Sequence, residues 1–181
     1  MRLHAVTRLV LCLTVLIAMF VTPILAQGAA DPLSAGQKML HSRIMDIVIR
    51  SAEKMPEENY SFKPTPEVRS FGQILGHIAD AQYLFASAVL GEQNPSPNVE
   101  KSKTTKADLI QALKDASAYS DKAYDAVKDT QAADMVKFFG RDMAKLTVLS
   151  LNTMHDNEHY GNLVTYLRMK GLVPPSSEPR K

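Results

Sequence analysis

The 181-residue chain carries 21 basic and 19 acidic residues, and once Arg2 and Arg8 are set aside with the N-terminal leader they precede, 19 bases face 19 acids. This neutrality, with no Lys/Arg stripe interleaved with aromatics, excludes a broad electrostatic footprint for nucleic acid. The single cysteine, Cys12, lies inside the same leader, so a disulfide framework, a thiolate metal site and a Cys nucleophile are excluded beyond it.

The leader has secretory architecture. Arg2 and Arg8 precede an apolar run from Leu9 to Phe20, followed by Pro23 and small residues. The run is shorter than the roughly 20 apolar residues of a membrane span. We expect a signal peptide over residues 1–26, cleaved after Ala26 or as late as Ala30, and no stable membrane insertion after cleavage. Cys12 lacks the small preceding residue of a lipoprotein signal. Residues 31–181 then form one domain, long enough for a real core.

Four amphipathic helices follow in chain order. Ser34 and Gln37 have capping-box spacing, and Leu40, Ile44, Ile47, Val48 and Ser51 make a stripe, which predicts a helix from about Ser34 to Met55. The segment PEENYSFKPTPEVR has three prolines and no helical period, and reads as a long connection. Ser70 and Gln73 open a second helix, with Ile74, His77, Ile78, Ala81, Leu84, Phe85 and Ala88 on one side and Gly91 as its stop. EQNPSPNVEKSK reads as a mobile surface loop. Thr105 and Asp108 open a third helix, striped by Leu109, Ile110, Leu113, Ala116, Ala123, Tyr124 and Val127. The longest helix is predicted from about Asp142 to Lys170, with Gly171, Pro174 and Pro175 as stop signals. No strand or internal repeat stands out, and the economical fold is an all-α, antiparallel four-helix bundle.

His155 and His159 are four positions apart, so they project from one helical face, one turn apart, as two imidazoles sharing a metal require. Val148, Leu151, Asn162 and Tyr166 lie within about 40° of His155, which aims the pair at the interior. His77 shares a face with Ile74 and Ala81. Bundles build metal sites from such facing side chains. Spacing alone leaves open that these are neutral core histidines hydrogen-bonded to neighbours. The HDNEH segment also fits the H-x-x-E-H of inverted zinc peptidases, with Glu158 as general base. Those enzymes take a third ligand far downstream, and only 22 residues follow His159, so the third ligand is assigned to His77.

SFGQILGHIADAQYLF and MHDNEHYGNLVTYLRMKGLVPPSS together resemble the DinB family, the DinB/YfiT-like metalloenzymes, over nearly the whole chain beyond the leader. The resemblance implies a four-helix bundle, a three-histidine site for a divalent metal (often nickel or zinc in relatives) and homodimers. Carried over residue by residue, the ligands fall on His77, His155 and His159. Three imidazoles leave coordination open, as in catalytic zinc sites, while ligand softness also admits nickel, cobalt or iron. Zinc or nickel is the expected cofactor.

Glu158 is the candidate catalytic residue, to orient water or a histidine, with a solvated or helix-pairing carboxylate as the alternative. Asp80 has the same ambiguity. Asn162 and Tyr166 continue the ligand face, Tyr60 and Phe62 either cover the site or pack the end of the bundle, and His41, about 100° from the Leu40 stripe, is read as a surface residue. The expected function is an exported, periplasmic or extracellular bacterial hydrolase or transferase for a small molecule, with a non-catalytic metal- or ligand-binding bundle as the alternative. Thiol transfer, known in the wider family, fits poorly with export because low-molecular-weight thiols are chiefly cytoplasmic.

Overall fold

A computed structural model describes residues 31–179; the expected signal peptide lies outside them. Among the described residues the chain is mostly helical, with five α-helices and a two-stranded sheet. The α-helices are α1 (Pro32–Lys54), α2 (Phe71–Leu90), the one-turn α3 (Val99–Ser102), α4 (Lys106–Ala126) and α5 (Lys145–Met169). No described helix is long and apolar enough to cross a membrane.

Local sequence accounts for several helix ends. The Ser70 side chain accepts from Gln73 N at 3.3 Å while Gln73 Oε1 accepts from Ser70 N at 2.9 Å, completing the expected capping box of α2. Gly91 ends that helix at φ 71°, a left-handed value glycine adopts without steric cost. Thr105 caps α4 through Asp108 N.

Three expectations are corrected. The segment read as a connection and the start of the last helix contains an antiparallel hairpin, β1 (Met135–Phe138) and β2 (Arg141–Ala144). Its two-residue tip, Phe139 at φ 48° and Gly140 at φ 74°, has the paired positive angles that match strand twist. The last helix therefore begins at Lys145. Its cap residue, Ala144, offers no side-chain acceptor, and the N–H groups of Lys145 and Leu146 instead reach the carbonyls of Asp134 and Ala132.

The loop expected to be mobile contains α3, whose Val99 is buried. On α1 Ile44, Val48 and Ser51 of the predicted stripe are buried and Ile47 packs against the core, but Leu40 is 47% exposed and the inward face also takes in His41, Met45 and Ala52. His41, read as a surface residue, is fully buried, its ring stacked on Tyr124 with centroids 4.5 Å apart.

The core divides into two apolar clusters. One gathers Ile44, Val48, Phe71, Leu75, Leu113 and Leu163; the other gathers Phe85, Val89, Tyr124, Phe138, Val148 and Leu149. Along α2, α4 and α5 the boundary between the clusters falls at buried polar residues, Gln82, Ser120, Asn152 and Asp156, and His41 joins this layer from α1.

Candidate metal centre

One turn of α5 separates His155 from His159, and α2 brings His77 to face both. His155 Nε2 lies 3.1 Å from His77 Nε2 and 3.1 Å from His159 Nε2. One ligand atom from each of the three lies within 4.8 Å of the others, so these histidines could hold a metal ion. The structure thus brings together all three predicted ligands. His159 is buried and the other two are half-buried.

The electrostatics favour lone pairs over protons. Burial, then the neighbouring His159 and His77, push His155 down to about 4. Burial and then Arg69 lower His77 against the opposing pull of Glu100 and Asp80. His159 is lowered by burial and His77, opposed by Glu158. At neutral pH the cluster consists of neutral imidazoles, the form that binds a metal. Two nitrogens 3.1 Å apart and each at a typical zinc–nitrogen distance of about 2.1 Å subtend about 95° at the ion, between octahedral and tetrahedral values. The donor set and its spacing fit a divalent transition ion.

Around this cluster the secondary candidates separate. Asn162 Nδ2 lies 3.3 Å from His159 Nδ1. Tyr166 donates to the Arg69 carbonyl and helps line a cleft of about 460 Å³ with Arg69, Ile74, Glu100, His159 and Asn162. Glu158 is exposed and makes no hydrogen bond or ion pair among the described residues. Asp80 does structural work, accepting from Val99 N and Glu100 N at 2.6 and 2.9 Å. Tyr60 and Phe62 pack rather than cover: Tyr60 bonds the Ala52 carbonyl, and Phe62 meets the Tyr166 ring edge-on.

Sequence reasoning missed Arg69 and Glu100. Glu100 Oε2 lies 3.4 Å from His77 Nδ1, and its Oε1 accepts from Arg69 Nε at 3.0 Å. A cue was present in Gly76, one residue before His77. Glycine inside a helix costs about 1 kcal/mol against alanine, so a mid-helix glycine signals close backbone approach.

Residues 42–163 match the family model described as DinB superfamily. The chain belongs to the DinB superfamily. It is 31% identical over 126 residues to the uncharacterized protein YjoA of Bacillus subtilis strain 168, covering 66% of this chain and 79% of that protein. Among solved structures it is similar to a DinB-like protein of Bacillus cereus ATCC 10987, with TM-score 0.70 and 18% identity over 78% of this chain and 95% of that one. The crystal structure of Bacillus subtilis YjoA, a DinB-like protein, gives TM-score 0.63 and 24% identity over 79% and 99% of the two chains. At these identities the two structures support the DinB-like fold alone.

Proposed function

We propose that this chain is an exported four-helix-bundle protein of the DinB superfamily in which His77, His155 and His159 hold one divalent transition metal, zinc or nickel, for hydrolase or transferase chemistry on a small molecule. The observation that carries this reading is the convergence of three imidazoles, with His155 Nε2 3.1 Å from the Nε2 of both His77 and His159. An ion held by three imidazoles keeps open coordination positions and acts there as a Lewis acid. Glu158, exposed on the ligand helix, is the base candidate, and the cleft lined by Arg69, Asn162 and Tyr166 beside His159 is the place for substrate. Export, to a bacterial periplasm or beyond, rests on the Arg2/Arg8 and apolar leader. Homodimer formation rests on the family resemblance.

A non-catalytic metal- or ligand-binding role is the second reading. It is favoured by the absence of a hydrogen bond holding Glu158 among the described residues and by the recruitment of Asp80 to cap α3.

Elemental analysis of untagged mature protein, beside a His155→Ala/His159→Ala variant, tests the site. Near-stoichiometric zinc or nickel, lost in a variant that keeps its helical signal, is expected. Absence of metal after incubation with several divalent ions would overturn the reading. With metal in place, a Glu158→Gln variant retaining full turnover would exclude Glu158 as base, and no turnover across broad screens would favour the binding role.

A further inference from the structure

Three separate features seat the one-turn helix α3 against α2. Gly76 provides the space: a Cβ there would lie 2.6 Å from Glu100 Cα and 3.0 Å from Glu100 N, closer than packed atoms tolerate. Asp80, one turn further along α2, accepts the N–H groups of Val99 and Glu100. Val99 enters the apolar core. Four residues of helix have little stability of their own, so these anchors decide where α3 sits.

Their shared consequence is the placement of one carboxylate. Glu100 Oε2 faces His77 Nδ1 at 3.4 Å, long for a hydrogen bond, on the side of the ring opposite the Nε2 that meets His155. Arg69 Nε occupies the other oxygen at 3.0 Å and restricts rotation of the carboxylate. The other two rings lack this arrangement. His155 Nδ1 is buried with no hydrogen-bond partner, and His159 Nδ1 meets the Asn162 amide.

We propose that Glu100 is the positioning residue of the metal centre, accepting the Nδ1–H of His77 so that the Nε2 lone pair is committed to the ion, and that α3 is the strap that holds it there. The inference rests on the proposed three-histidine metal site. A metal-bound imidazole generally needs its second nitrogen hydrogen-bonded to fix tautomer and orientation, and a carboxylate acceptor also makes the ring a better donor. Glu100 touches the ring and not the ion, so it acts through His77.

The test compares wild type with Glu100→Ala, Gly76→Ala and the double variant. Zinc affinity is read by competition with a chromophoric chelator, and the His77 tautomer by nitrogen-15 NMR of the metal-free protein. Zinc affinity is expected to fall about 10- to 100-fold in Glu100→Ala. Gly76→Ala, which should otherwise favour the helix, is expected to lower it as well by displacing α3. The double variant should be no weaker than the weaker single one, because both changes remove the same interaction. His77 should be the Nδ1–H tautomer in wild type and mixed in each variant. If Gly76→Ala fails to fold, Asp80→Ala releases α3 in its place. Zinc affinity within twofold of wild type in Glu100→Ala, with the tautomer unchanged, would overturn the inference. Should wild type bind no zinc, the metal reading fails and the metal-positioning role of Glu100 fails with it; Nδ1–H lost on removing Glu100 would then show only that Glu100 sets the His77 tautomer, and Nε2–H in wild type would overturn that as well.

Discussion

The side-chain amide of Gln82 donates to both carboxylate oxygens of Asp156, at 2.8 and 2.7 Å, with all atoms buried. Asn152 donates in turn to Gln82 Oε1 at 3.1 Å, and His41 Nδ1 approaches Asp156 Oδ2 at 3.6 Å. Burial pushes the Asp156 carboxyl upward, opposed by His41 and Gln82. Asp156 directly follows His155, so one turn of α5 presents a member of the histidine cluster on one side and a member of this layer on another.

Replacing Gln82 by Leu keeps the volume but leaves the Asp156 carboxylate and the Asn152 amide without their partner. The expected cost is about 3 kcal/mol, since leaving buried polar groups without partners costs more than the net worth of their bonds. Urea denaturation followed by circular dichroism measures it, and a loss below about 0.5 kcal/mol, the scale of an ordinary surface substitution, would show that the network does not lock the fold.

Asp129 caps α1 from a distance, accepting Leu33 N at 3.0 Å and Ser34 N at 2.9 Å. Burial acts to raise the carboxyl, but the backbone donors of Leu33 and Ser34 together with the Ser34 side chain outweigh it and hold it below its ordinary value of 3.8. A carboxylate lowered in the folded state stabilises above its unfolded value and loses that contribution as pH falls through the folded one. Asp129→Asn should therefore lower Tm at pH 7, and the gap from wild type should close as pH falls below 3.8. A gap independent of pH would mean that the charge is not what caps the helix.

Two exposed glycines should respond with opposite sign to alanine. Gly140, at φ 74° in the hairpin tip, carries a backbone strained for any Cβ, and Gly140→Ala should cost about 1 kcal/mol. Gly161, inside α5 with nothing within 4 Å of a built Cβ, should gain up to about 1 kcal/mol. Equilibrium unfolding of both variants separates the cases, and equal signs would contradict the backbone account.

Metal binding should appear as folding stability. Zinc at 100 times its dissociation constant stabilises a native-state site by about 2.7 kcal/mol, so added zinc should raise Tm by several degrees and chelator should reverse it. His77→Ala should abolish most of this shift. A Tm rise that survives loss of His77 would place the bound zinc elsewhere.

Local sequence patterns determined the elements whose causes lie within one or two helical turns. The Ser70/Gln73 box, Gly91 after α2 and the spacing of His155 and His159 can all be read without distant partners, because they follow from helical periodicity and from backbone groups a few residues away. The pairing of these ligands with His77 was also legible, through inward faces on two amphipathic helices. What only the tertiary structure decided depends on partners far apart in the chain. Asp129 caps a helix 95 residues away from Ser34. His41 is buried against the Tyr124 ring and beside Asp156 although it lies off the stripe its own segment shows, since a helix buries whichever residues its neighbours cover. Glu100 stands in a polar, proline-broken segment with no periodicity. It reaches His77 because Gly76 on α2 lets that segment's backbone approach; the glycine signals a close approach, but nothing in either segment says which backbone makes it.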